Sequence, residues 1–159
     1  MNQLIIKRAS IFSLILGAVL GLIALFPFAI GFVIFLLGFL SSVAIILYMK
    51  KNEKHLGIID NEQGAILGGI IGFCSGVGFF VSFAPMVSIL KLIFKDYYAY
   101  AIPYVLEEAF WLFLVIVFIV AFIFALTNSA TGMATAFLLN KFEEKPKDYD
   151  APLDIKIED

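Results

Sequence analysis

Three stretches of this chain carry no charged side chain: Ala9 to Met49, Gln63 to Leu90 and Ala109 to Asn140. Each exceeds the ~20 residues a helix needs to cross a hydrocarbon core about 30 Å thick. Barrel strands would be about 10 residues long and alternate in polarity, and no such alternation is present. With 62% of residues apolar and 15% charged, a water-exposed domain of this length would present a largely apolar, aggregating surface. The pattern predicts an all-α fold: a polytopic membrane helical bundle with four transmembrane helices.

The first charge-free run is too long for one span and suits two. Its break is expected at Leu25-Phe26-Pro27-Phe28, because proline disfavours helix at the residue before it and is tolerated in the first turn of the next. The expected helices are 4–25, 27–49, 62–90 and 104–140. They make a transmembrane domain over 1–142, followed by a disordered acidic tail over 143–159. Lys50, Lys51, Glu53, Lys54 and His55 mark an aqueous loop. Asp60-Asn61-Glu62 reads as the capped start of the third helix, with short polar groups on its free amides and acids at its positive end. Pro85 is expected to bend that helix. Tyr97, Tyr98, Tyr100, Tyr104 and Trp111 read as one interfacial belt. The fourth helix exceeds the bilayer core at 1.5 Å per residue, and Thr127, Asn128, Ser129 and Thr131 suggest that it leaves the membrane near Asn128.

Lys7 and Arg8 precede the first apolar run, as in a signal peptide. The run is too long for a cleaved segment and lacks a small-residue cleavage site, so it reads as a retained first helix. The basic residues then set an orientation. Lys7, Arg8, Lys50, Lys51, Lys54, Lys141, Lys145, Lys147 and Lys156 fall on one side, against Lys91 and Lys95 on the other. The positive-inside rule therefore predicts two helical hairpins in a cell inner (cytoplasmic) membrane, with both termini cytoplasmic. The run from Ile15 to Gly21 parallels the run from Ile66 to Gly72, a hint that one hairpin repeats the other.

The most specific pattern is Gly64, Gly68, Gly72 and Gly76, four residues apart and so on one helix face. Lipid is as apolar as leucine, so helices associate by close backbone contact, which glycine permits. Gly17 and Gly21 form a shorter series, and Ala121, Ala125 and Ser129 a third. These residues are expected to pack helices within one chain or between copies. A flexible, sliding helix is the alternative. Gly72, central in its series, is expected to tolerate bulk less well than Gly78.

Groups able to carry chemistry are few. His55 is the single histidine and Cys74 the single cysteine, so no disulfide within the chain and no His-Cys metal cluster is possible. No phosphate loop or nucleophile elbow is present. Glu107 and Glu108 read as complements to a helix N-terminus, or as cation capture at a pore mouth. Asn128 reads as an interhelical hydrogen-bonding group, or as a substrate-lining one.

Lys7-Arg8, Gly17 and Gly21, Met49-Lys50-Lys51-Asn52 and Asn61-Glu62-Gln63-Gly64 follow one another in an order that resembles small four-helix bacterial integral membrane proteins of unknown function. That resemblance implies a membrane protein without an assigned activity and adds no catalytic residue. The resulting expectation is a non-enzymatic membrane protein without cofactor, metal or nucleic-acid partner. It would be surrounded by membrane lipid and would assemble with itself or another membrane protein through its glycine-rich third helix. A small transporter or channel subunit acting as an oligomer is the alternative.

Overall fold

The computed structural model describes residues 3–52, 59–94 and 108–142. The His55 loop, the four expected belt tyrosines, Glu107 and the acidic tail lie outside them. Every regular element among the described residues is helical. Four helices are long and apolar enough to cross a membrane: α1 (Gln3–Ile23), α2 (Pro27–Asn52), α3 (Asn61–Ile93) and α4 (Phe110–Phe142). This is the signature of a membrane protein.

The expected break at Pro27 is present. The last turn of α1 tightens, with Leu25 N–H donating to Leu22 C=O at 3.3 Å and Phe26 N–H to Ile23 C=O at 3.2 Å. Pro27 then opens a single 3-10 turn, Pro27–Ala29. Its missing N–H costs nothing at a helix start. Asp60 occupies the N-cap of α3, but its side chain makes no capping hydrogen bond. The first turn is instead closed by Gly64 N–H on Asp60 C=O at 2.8 Å. Pro85 lies inside α3, which runs on to Ile93.

α3 packs closely against α1 and α4. Its register against them gives the helix directions. A Cβ added at Gly17 would strike Ser75, and one at Gly21 would meet Phe79 and Ser82, so α1 and α3 run in the same sense. Gly64 meets Ala136 and Gly76 meets Ala121, so α3 and α4 run in opposite senses. α2 closes the bundle against α4, with Ser42 beside Thr131. Two apolar clusters fill the ends. One gathers Ile45, Met49, Leu67, Ile71 and Ala136. The other gathers Leu37, Phe79, Phe83, Val87 and Phe124.

α4 is unbroken to Phe142, and Asn128 is fully buried. It lies about 27 Å along the helix from Phe110 and about 21 Å from Phe142 at 1.5 Å per residue, level with the middle of α2. Gly78 is no tolerant control, because its added Cβ would overlap the Leu14 carbonyl on α1. The parallel between the runs 15–21 and 66–72 is not matched in packing: Gly17 and Gly21 face α3, whereas Gly64 to Gly76 face α4.

Candidate functional site

Four buried polar side chains, Ser41, Ser42, Asn128 and Thr135, converge where α2, α3 and α4 meet. α2 is not a uniform α-helix. Its α-helical turns over Ile30–Phe35 and Ser41–Asn52 are joined by a π-helical turn, Leu36–Leu40. Such a turn inserts an extra residue and leaves backbone groups without an α-helical partner. In an apolar layer those groups must be satisfied internally.

Asn128 of α4 satisfies them. Its Oδ1 accepts from Ser42 N–H at 2.9 Å. Its Nδ2 donates to Leu37 C=O at 2.7 Å and Gly38 C=O at 3.1 Å on α2, and to Phe124 C=O at 2.9 Å on its own helix. Only this amide orientation sets the oxygen toward an N–H and the nitrogen toward carbonyls. The side chain thus acts as a surrogate peptide group across the π turn. Ser41 Oγ lies 2.8 Å from Asn128 Oδ1 and 3.0 Å from Leu37 O, so its one proton serves either. Ser42 Oγ and Thr131 Oγ1 share a hydrogen bond at 2.6 Å. Thr135 Oγ1 donates to Thr131 C=O at 2.7 Å.

The glycine series of α3 forms the third wall. A Cβ at Gly72 would overlap the Phe124 carbonyl and come within 2.8 Å of Asn128 Cβ, and one at Gly68 would overlap the Asn128 carbonyl. The missing side chains bring the α3 backbone against α4 at the level where Asn128 reaches α2. Gly64 belongs to the same contact, facing Ala136 and the Gly132 carbonyl, and Gly76 faces Ala121. Ala125 stands further off, with its carbonyl 3.7 Å from a Cβ at Gly69. Of the two expectations for these glycines, packing within one chain is the one this geometry fits. Their faces are filled by α1 and α4 of the same chain.

The node holds no titratable group. Both Asn128 donors and its acceptor are engaged, so it is a closed hydrogen-bonded unit. Glu108 is exposed two residues before α4, far along that helix from the node. Its neighbour Glu107 lies outside the described residues. Cys74 is half-buried. No cluster of three metal-ligating side chains occurs among the described residues. At the other end of the bundle, Asn140 Nδ2 donates to Ile59 C=O at 2.8 Å, tying the entry of α3 to the end of α4.

Sequence reasoning picked out Asn128 but not its partners Ser41 and Ser42, and it missed Gly132 and Ala136. The signal was present: Asn128, Gly132 and Ala136 continue a four-residue spacing. No known protein family, no curated protein and no solved structure matches this chain.

Proposed function

We propose that this chain is a non-enzymatic integral membrane protein of two helical hairpins, with both ends in the cytoplasm, that acts through its outer surface. The observation that carries the reading is the closed node. The amide in the middle of the bundle is engaged within the chain, leaving no group there to bind or transform a substrate. Lys7, Arg8, Lys50, Lys51 and Lys141 gather at one end of the bundle, which supports the cytoplasmic placement of that end. Assembly with itself or another membrane protein would use α4. Its outer face carries the exposed Trp111, Phe118 and Phe122, and α4 is the least buried of the four helices.

Single cysteines introduced into a Cys74→Ser background test both parts in intact cells. A cysteine at Ala99 is expected to react with an impermeant maleimide and one at Asn52 to be protected. A cysteine at Phe122 is expected to form cross-linked dimers, and one at Ile66 to remain monomeric. Labelling of Asn52 from outside would reverse the orientation. A monomer at every α4 position would remove self-assembly.

The second reading, a small transporter or channel subunit acting as an oligomer, draws on the π turn. Such turns recur at functional sites. It requires Asn128 to release α2, and solute flux in reconstituted vesicles that Asn128→Leu abolishes would favour it.

A further inference from the structure

α1 and α2 enclose an apolar groove of about 420 Å³ on the outer surface of the bundle. Phe12, Ile15 and Val19 form one wall, and Ala44, Ile45 and Tyr48 the other. The Phe12 and Tyr48 rings meet edge to face at 5.3 Å and mark its end nearest the chain's N-terminus. Side chains three or four residues apart share a helix face. The Phe12 wall therefore continues into Arg8, and the Tyr48 wall into Lys51. Both are exposed, with Lys7 and Lys50 beside them.

We propose that this groove is a binding site for an anionic phospholipid, with one acyl chain between α1 and α2 and the phosphate on Arg8 and Lys51. Two independent features agree. The lining is almost entirely apolar, and cations from two different helices stand at one mouth of it. Basic pockets between helices at a membrane surface hold anionic headgroups. The guanidinium fork of Arg8 matches two phosphate oxygens, and Tyr48 lies at the same end of the groove, against Phe12. A zwitterionic lipid would bring its own ammonium toward the same cations.

Native mass spectrometry of the intact protein in mild detergent tests the site, titrating phosphatidylglycerol against phosphatidylcholine of equal chain length. Phosphatidylglycerol is expected to be retained in preference. Arg8→Gln with Lys51→Gln is expected to weaken it roughly 30-fold. Ala44→Phe, which fills the groove from an exposed position, is expected to abolish binding with an unchanged thermal transition. Val19→Phe blocks it from the other wall and serves if Ala44→Phe perturbs folding. Lys141→Gln, at the end of α4, is expected to leave binding intact. Equal retention of the two lipids would overturn the proposal. So would equal loss from Lys141→Gln and the Arg8/Lys51 pair, which would indicate surface charge alone. Undiminished binding with the groove filled would overturn it as well.

Discussion

Gly72→Leu is expected to abolish the cooperative thermal transition of the bundle in mild detergent. A Cβ at Gly72 meets main-chain atoms of Phe124 and the Cβ of Asn128. Neither is the free end of a flexible side chain, so neither can move aside. The helices must separate instead. α3 and α4 are long rods in contact from Gly64 to Gly76, so separation at Gly72 loosens the whole seam and withdraws Asn128 from α2. Overpacking a well-filled core costs about 1–3 kcal/mol. Gly72→Ala is expected in that range, and leucine beyond it. Gly31→Ala is the control, because nothing lies within 4 Å of an added Cβ there, and a change of less than about 0.5 kcal/mol is expected. Gly78→Ala groups with Gly72→Ala because of the Leu14 carbonyl. Thermal unfolding followed by circular dichroism separates these variants. Equal transitions for Gly72→Leu and Gly31→Ala would remove the seam from the account.

Asn128→Leu is expected to lower stability by about 2–4 kcal/mol, since it strands backbone groups that cost about 1–3 kcal/mol each when buried without a partner. Ser42 N–H and the carbonyls of Leu37 and Gly38 lose the amide at one stroke. Leu37 O keeps Ser41 Oγ, which moderates the loss. The sharper test is rescue. If the π turn is what requires the amide, removing the extra residue should remove the requirement. Deletion of Phe39, exposed on the outer face of the π turn, restores an α-helical count to α2. In the Asn128→Leu background this deletion is expected to recover most of the lost stability. In the parent protein it is expected to destabilise, because Asn128 then has no gap to fill. Additive losses in the double variant would show that the amide and the π turn are independent.

The four spans and the turn at Pro27 were legible because they follow from solvent: an apolar layer requires long charge-free helices, and proline limits where they start. The glycine contacts were legible as contacts. Their partner was not, since the same spacing serves a neighbour in the chain or in another copy. Gly17 and Gly64 look alike in sequence, yet one meets Ser75 and the other Ala136. The π turn left no trace, because Leu36-Leu37-Gly38-Phe39-Leu40 is plain apolar helix by composition. Only the amide opposite it reveals the need. Asn128 read as an interhelical or a substrate-lining group, and only its bonds to Ser42, Leu37 and Gly38 on α2 assign it to the helix contact.

The glycine face of α3 packs on α4 of the same chain. A cysteine pair at Gly69 and Ser129 tests it directly. A Cβ at Gly69 lies 3.8 Å from Ser129 Cβ, within the 3.5–4.5 Å that a disulfide spans. In a Cys74→Ser background, mild oxidation in native membranes is expected to give a monomer with an internal disulfide, seen as a reductant-reversible mobility shift and as loss of both thiols. A covalent dimer formed by this pair, with no internal bond, would contradict the claim and place the glycine face between chains.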